Sequence, residues 1–249
     1  MDTAIDKALV ILETLSGDRS GRALAEIAAE TGLPKTTVHR LLSIMQHRGF
    51  VDRSEAGGYL VGRKVISLGL AAAEKDSLVL AARPVLGTLV EQTQETVQLG
   101  LLQGSQVLYI DRREPADATV RLARTPALLA ELHTSAMGKA ILAFGRPETV
   151  ESFLAAPLNR YTDQTVTDPG KLREELEQIR QTGVSRADRE RYEGVVALGA
   201  PVLDADGYAF AAVSVAGPAH RMDEAKCRLI SEALPPAAAE LTVLVSRLR

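Results

Sequence analysis

The stretch LPKTTVHRLLSIMQHRG, residues 33–49, is the strongest local indication of how this chain folds. Its apolar residues recur at i, i+3, i+4 and i+7, a spacing that places them on one face of an α-helix. They are Val38, Leu41, Leu42 and Met45. Pro34 fixes φ at the start of this helix, and Gly49 can take the left-handed conformation that ends it. The stretch therefore predicts a short helix with one buried face.

The opposite face of the same helix is polar and basic. It carries Thr36, Arg40, Ser43 and His47, with Lys35 and His39 beside them. Hydroxyl, guanidinium and imidazole groups suit DNA phosphates and the acceptor atoms of purine edges. An ordinary solvated helix face is the alternative that this helix alone leaves open.

The flanking segments favour DNA binding. A short helix at about residues 24–31, ended by Gly32, lies only two residues before Lys35, which is the helix-turn-helix arrangement. Another amphipathic helix is predicted over residues 3–15. After Gly49, residues 50–53 and 59–61 read as strands joined by a turn with Gly57 and Gly58. A hairpin in this place indicates the wing of a winged helix-turn-helix, although a simple connecting hairpin would show the same pattern.

Charge is unevenly distributed along the chain. The net charge is −3, yet residues 32–64 hold six Lys and Arg against two acidic residues, a local balance of +4. Residues 65–249 hold twenty basic and twenty-four acidic residues. A small basic module followed by a mildly acidic one is typical of a DNA-binding head with a body of another purpose.

Length and patterning predict three segments and an α+β architecture. We expect a DNA-binding domain over residues 1–62, a linker helix over 63–77 and a larger domain over 78–249. The larger domain alternates helical patterns with strand pairs, including a hairpin turned by Asp204–Gly207 and a further strand at VRLAR, residues 120–124. The last helix, from about Asp223, is expected to be interrupted at Pro235 and Pro236.

Composition restricts the chemistry of the chain. The only cysteine is Cys227, which excludes an internal disulfide and multi-cysteine metal sites. The four histidines lack metal-ligand spacing, so we expect neither a metal nor a cofactor. The N-terminus is acidic where a signal peptide would be basic, and no run of apolar residues is long enough to span a bilayer. A cytoplasmic protein without a membrane partner is expected.

Taken together, these motifs resemble the IclR family of bacterial transcriptional regulators over nearly the whole chain. The head resembles it through AEIAAETGLPKTTVHRLL, GFVDR and the sequence YLVG at residues 59–62. The body resembles it through RPVLGTL, ETVQLGLLQG, HTSAMGKAILA, LREELEQIRQTGV, and EGVVALGAPVLDADG followed by AAVSVAGPAHRM. Each motif is only moderately specific, but their order along the chain is highly specific.

The resemblance implies a winged-helix head and a GAF-like, effector-binding body in which an antiparallel sheet is covered by helices. It also implies homodimers or dimers of dimers. The candidate DNA-binding residues are Lys35, Thr36, Thr37, His39, Arg40, Ser43, Arg53 and Tyr59. The candidate effector-binding residues are Ala136, Met137, Gly138, Glu190, Val195, Ala197, Ser214 and Ala216. The chain departs from the family at Ala216, where relatives often carry a hydroxyl, and at Glu131, where they commonly carry a proline.

Three arginines lie close to the expected ligand loop. Arg186, Arg189 and Arg191 each offer a guanidinium that binds a carboxylate with two hydrogen bonds. One of them is hypothesised to receive an organic-acid effector, but the run RADRERYEG alternates in charge, as solvated loops do.

The sequence therefore predicts a ligand-responsive regulator that binds operator DNA with an inverted repeat. We expect it to repress a catabolic operon under the control of a small organic acid, carboxylic or aromatic. The alternative is a GAF-like redox or hydrolytic enzyme with an accessory winged-helix domain.

Overall fold

The chain divides into two compact units, Met1–Lys75 and Asp76–Arg249. The structure, a computed structural model, describes residues 3–16, 20–75, 77–116 and 129–246. The helix predicted as a linker is present and belongs to the first unit by its contacts. The strand predicted over residues 120–124 lies outside the described residues.

The first unit is a three-helix bundle followed by a hairpin and a fourth helix. Its elements are α1 (Ala4–Leu15), α2 (Leu24–Thr31), α3 (Lys35–His47), β1 (Val51–Arg53), β2 (Tyr59–Val61) and α4 (Arg63–Lys75). The two strands pair antiparallel, as the glycine-containing turn predicted. A winged helix-turn-helix is therefore confirmed.

Local sequence explains where these helices begin and end. Thr3 and Asp6 form a capping box at the start of α1, each side chain satisfying the other's backbone N–H. Gly32 ends α2 at φ 68°, and Gly49 follows α3 at φ 77°, in the left-handed region that glycine adopts without strain. The buried face of α3 consists of the four predicted apolar residues, Val38, Leu41, Leu42 and Met45.

The second unit is built on a six-stranded antiparallel sheet with strand order β5-β4-β3-β8-β7-β6. Its strands are β3 (Thr96–Gln103), β4 (Gln106–Arg113), β5 (Leu129–Glu131), β6 (Ser185–Asp188), β7 (Val195–Leu203) and β8 (Ala209–Pro218). Its helices are α5 (Ser77–Thr93), α6 (Ala136–Ala143), α7 (Pro147–Leu154), α8 (Pro169–Thr182) and α9 (Glu224–Ser246).

Strand alternation divides this sheet into two faces. On β8, Val213 and Val215 point into a core shared with α5 and α9. Their neighbours Ser214 and Ala216 belong to the other face, where α6, α7 and α8 pack through a second core. The predicted α+β architecture, an antiparallel sheet covered by helices, is confirmed.

The expected interruption of the last helix is wrong. Helix α9 runs from Glu224 to Ser246 with Pro235 and Pro236 inside it. Proline removes a backbone hydrogen bond, but Leu234 and Ala237 on either side lie in the core and hold the helix in place. By length and composition alone, this helix could span a membrane. That is weak evidence for a membrane span, because the apolar face of the helix packs in the core.

Helix α6 begins at Ala136, directly after a short turn. Residues Leu132–Thr134 form a 3-10 turn, and the Ser135 side chain accepts a hydrogen bond from the Gly138 N–H as the N-cap. A Cβ at position 138 would lie 2.2 Å from the Leu132 carbonyl oxygen. The backbone of the turn at Leu132 therefore packs directly against Gly138 of α6.

This packing predicts that Gly138→Ala destabilises the second unit by about 1–3 kcal/mol, because backbone must move to admit the methyl group. Gly87→Ala is the matched control, since a Cβ there meets nothing within 4 Å inside α5. The control should be neutral or stabilising by up to about 1 kcal/mol. Urea unfolding followed by circular dichroism measures both, and equal stability of the two variants would contradict the packing argument.

Candidate DNA-binding surface and effector cavity

The outer face of α3 presents most of the predicted DNA-binding residues to solvent. Lys35, Thr36, His39, Arg40 and Ser43 are exposed, and Thr37 is half-buried. The Ser43 hydroxyl donates to the His39 backbone carbonyl at 2.9 Å. The structure thus brings the candidate donors of α3 onto one accessible surface.

The wing holds Arg53 in a defined position. Its guanidinium lies 3.8 Å from the centroid of the Tyr59 ring and donates to the Tyr59 hydroxyl at 2.5 Å. It also donates to the Gly57 carbonyl at 2.6 Å. Tyr59 was predicted as a DNA contact, but its side chain is 3% exposed because it packs in the core of the head. Its place is therefore beneath Arg53 rather than on the outer surface.

A cavity of about 410 Å³ lies on the sheet face that carries α6. Seven of the eight predicted effector-binding residues line it: Ala136, Met137, Glu190, Val195, Ala197, Ser214 and Ala216. Strand register explains the grouping on the sheet, because Ala197 pairs with Ala216 across β7 and β8. Gly138 does not line the cavity, since it packs against Leu132 one turn into α6.

Besides these residues and Arg191, the cavity is lined by eight residues that the sequence did not single out as effector-binding. Gln98 had a usable signal, because it pairs with Ser214 and alternation places both on one sheet face. The others depend on the course of loops or on the register of distant strands. The eight are Gln98, Tyr109, Arg112, Thr134, Ser135, Ala187, Tyr192 and Gly194.

A buried lysine lies behind the cavity wall. The Lys139 side chain is 1% exposed, and its ammonium donates at 2.7 Å to Glu190 Oε1 and at 2.7 Å to Glu175 Oε2. Burial raises the pKa of the Glu190 carboxyl, and the Lys139 charge opposes that rise. Sequence reasoning missed Lys139, because nothing in the helical pattern of α6 distinguishes a buried lysine from an exposed one.

Of the three arginines near the ligand loop, only Arg191 lines the cavity. Arg186 and Arg189 are exposed and pair with Asp188. The Arg191 guanidinium lies over the Tyr161 ring at 4.5 Å, and its Nη1 is buried without a hydrogen-bond partner in the described part of the chain. Arg191 is therefore the arginine placed to meet a ligand.

The loop that carries Glu190 and Arg191 is tied down by a neighbouring loop. The Thr162 hydroxyl donates to the Arg189 carbonyl at 2.7 Å, and the Thr165 hydroxyl donates to the Glu190 carbonyl at 2.6 Å. Arg189 has φ 58°, an uncommon conformation for a non-glycine residue that such ties stabilise. The orientation of both charged side chains therefore depends on residues outside the cavity.

Comparison with known proteins identifies the two units. The protein-family model described as the IclR helix-turn-helix domain matches residues 4–55. The family model described as the C-terminal domain of bacterial transcriptional regulator IclR matches residues 70–243. The chain belongs to the IclR family.

Curated members of the IclR family align over almost the whole chain. The chain is 39% identical to the HTH-type transcriptional regulator BhcR of Paracoccus denitrificans, covering 96% of this chain and 86% of BhcR. It is 31% identical to the transcriptional repressor IclR of Escherichia coli, covering 99% of this chain and 91% of that protein.

Solved IclR-family structures share the fold. A regulator from Silicibacter sp. TM1040 has a TM-score of 0.86 and 32% identity, covering 98% of this chain and 96% of that one. An IclR homologue from Microbacterium hydrocarbonoxydans, solved with 4-hydroxybenzoate, has a TM-score of 0.78 and 26% identity, covering 99% and 100%. The chain is therefore a DNA-binding transcriptional regulator in which a helix-turn-helix domain precedes the C-terminal domain of the family.

The alternative reading as an enzyme is not supported, because the family and the relatives are transcriptional regulators. The environment of Cys227 agrees with this result. Cys227 is buried and its thiol donates to the Met222 carbonyl, and burial raises the pKa of the thiol, which disfavours the reactive thiolate.

A buried histidine in the turn before α6 makes stability depend on pH. His133 is 1% exposed, one of its ring nitrogens lies 2.9 Å from the Asn159 carbonyl, and burial lowers its pKa below the ordinary 6.5. The unfolded chain therefore binds a proton at a higher pH than the folded chain does. The contribution of His133 to stability is complete above about pH 6.5 and is lost as the pH falls toward the folded-state pKa.

We expect His133→Gln to reduce the loss of stability between about pH 7 and pH 5, because the buried titrating group is removed. His220→Gln serves as the control, since His220 is exposed. Thermal unfolding across this pH range measures the difference. An identical pH dependence in wild type and His133→Gln would refute the assignment.

Proposed function

We propose that this regulator represses a catabolic operon and that a small carboxylic acid bound in the cavity controls it. The observation that carries the ligand class is the buried Nη1 of Arg191, which has no hydrogen-bond partner among the described residues. A guanidinium without a carboxylate partner in a partly apolar cavity is best satisfied by an anionic ligand. Repression is supported by the E. coli relative, which is a transcriptional repressor.

The start of α6 supports the same ligand class. Ser135, Ala136 and Met137 line the cavity at the N-terminus of this helix. The first N–H groups of a helix lack partners within it, and the helix dipole adds partial positive charge there. A carboxylate held by Arg191 near these groups gains two sources of stabilisation. The 4-hydroxybenzoate complex of the Microbacterium homologue supports a carboxylic acid as the kind of effector.

Control of DNA binding requires that the effector distinguish two states of the protein. A ligand with equal affinity for the DNA-competent and the incompetent state shifts nothing. We propose that α4, which connects the head in sequence to the effector-binding unit, carries this coupling. The protein acts in the cytoplasm, where both operator and metabolite are present.

We further propose that the regulator binds as a homodimer or a dimer of dimers. Two heads related by a two-fold axis place their α3 helices in successive major grooves. The operator is then an inverted repeat whose half-sites lie about 34 Å apart or a multiple of that distance.

The head is tested by Arg40→Ala. If Arg40 reads a guanine, the substitution weakens operator binding by about 1–3 kcal/mol and relaxes preference at one base pair. If it contacts a phosphate, the loss is uniform across sequences. Gel shifts on a selected operator and its single-base variants separate the two results, with Arg173→Ala as an exposed-arginine control in the other unit. Wild-type affinity of Arg40→Ala would contradict both.

The cavity is tested by Arg191→Ala. Loss of a charge-assisted hydrogen bond should weaken binding of carboxylic acids by about tenfold or more. Arg186→Ala, on the same segment but exposed and outside the cavity, should bind as the wild type does. Thermal shift and calorimetry with a panel that includes benzoate and 4-hydroxybenzoate provide the measurement. If no acid stabilises the wild type, or if Arg191→Ala binds equally well, the carboxylate proposal is wrong.

A further inference from the structure

Two adjacent residues of the cavity loop present unsatisfied groups of opposite charge. Glu190 is 6% exposed, and its Oε2 is buried without a hydrogen-bond partner among the described residues, as is Nη1 of its neighbour Arg191. Both residues line the same cavity. A buried polar atom without a partner costs free energy, so the two atoms together indicate a ligand with two complementary groups.

The other oxygen of Glu190 is already occupied. Oε1 accepts from the Lys139 ammonium at 2.7 Å and from the Asp188 backbone N–H at 3.3 Å. Burial raises the pKa of this carboxyl, but the 2.7 Å ion pair with Lys139 favours its ionised form, so Oε2 is available as an acceptor. The ligand group opposite Glu190 must therefore be a hydrogen-bond donor, which a second carboxylate is not.

We infer that the effector is a hydroxy acid whose carboxylate meets Arg191 and whose hydroxyl donates to Glu190 Oε2. This inference rests on the proposed function, since it takes the cavity as the effector site and the carboxylate as the group that Arg191 binds. It adds the second polar group and thereby narrows the class of acid.

A hydroxyl fits this position better than an ammonium does. Lys139 already places one cation on the Glu190 carboxylate, so a ligand ammonium would be the second cation on the same group. The walls around it include Ala136, Met137, Ala197 and Ala216. Moving an ammonium from water into such surroundings costs far more than moving a neutral hydroxyl.

Matched acids that differ only in the donor test the inference. The pairs are lactate and propionate, 3-hydroxybutyrate and butyrate, and mandelate and phenylacetate, with alanine, 3-aminobutyrate and phenylglycine as the amino counterparts. Calorimetry with the full-length protein gives the dissociation constants. In at least one pair the hydroxy acid should bind about tenfold more tightly than the deoxy acid, and the amino acid should bind no better than the deoxy acid.

Glu190→Gln should remove most of this preference, measured as the ratio of the dissociation constants of the deoxy and hydroxy acids, because an amide makes a weaker hydrogen bond to the ligand hydroxyl than a carboxylate does. Glu193→Gln is the control, because Glu193 is exposed on the same loop and does not line the cavity. The unfolding midpoint without ligand shows whether each variant is folded. A preference that survives in Glu190→Gln would overturn the assignment of the hydroxyl to Glu190.

The two levels of the proposal fail in different ways. If acids bind in a manner that depends on Arg191 but hydroxy and deoxy acids bind equally, the hydroxy-acid inference is wrong and the carboxylate proposal stands. Tighter binding of the amino acids would also overturn the inference. If none of these acids binds, both proposals fail.

Discussion

Helix α6 lies against the sheet at backbone distance, and the shape of the cavity depends on that contact. A Cβ at Gly199 of β7 would lie 3.0 Å from the Ala136 carbonyl carbon, and one at Gly100 of β3 would lie 3.1 Å from the Met137 sulfur. The Ser185 hydroxyl ties the same end of the helix down by donating to the Ala136 carbonyl at 2.6 Å. Because the helix start is held so close, its first residues, Ala136 and Met137, line one small volume together with residues of the sheet.

Charged side chains at and behind the cavity wall are held in defined positions by ion pairs with one another. Lys139 projects from α6 away from solvent and links Glu190 on the cavity loop to Glu175 on α8. A buried ion pair of this kind contributes little net stability, because desolvation offsets the attraction. Its effect is on geometry, since it orients the Glu190 carboxylate through one oxygen, and the other oxygen has no partner among the described residues. Tyr109, another wall residue, keeps its proton because burial raises its pKa to about 12.

The head uses the same principle of positioning on a smaller scale. The exposed donors of α3 are arranged by helix geometry alone, whereas Arg53 on the wing is arranged by Tyr59 and the Gly57 carbonyl. Fixing a long side chain before DNA arrives lowers the conformational entropy that binding must remove. Tyr59, a residue of the core, thus positions a candidate DNA-binding side chain without being exposed itself.

The sequence by itself determined the elements and the family of this protein. Apolar spacing, Pro34 and the glycines at 32 and 49 specify the helix-turn-helix, because these signals act within a few residues. Alternation and motif order specify the sheet positions that became cavity walls. Only the tertiary structure decided that Arg191 enters the cavity while Arg186 and Arg189 do not, that Lys139 is buried, and that Tyr59 lies in the core. Those outcomes depend on contacts between residues that are distant in sequence. Packing of the same kind keeps α9 helical at Pro235 and Pro236, although proline disfavours the interior of a helix.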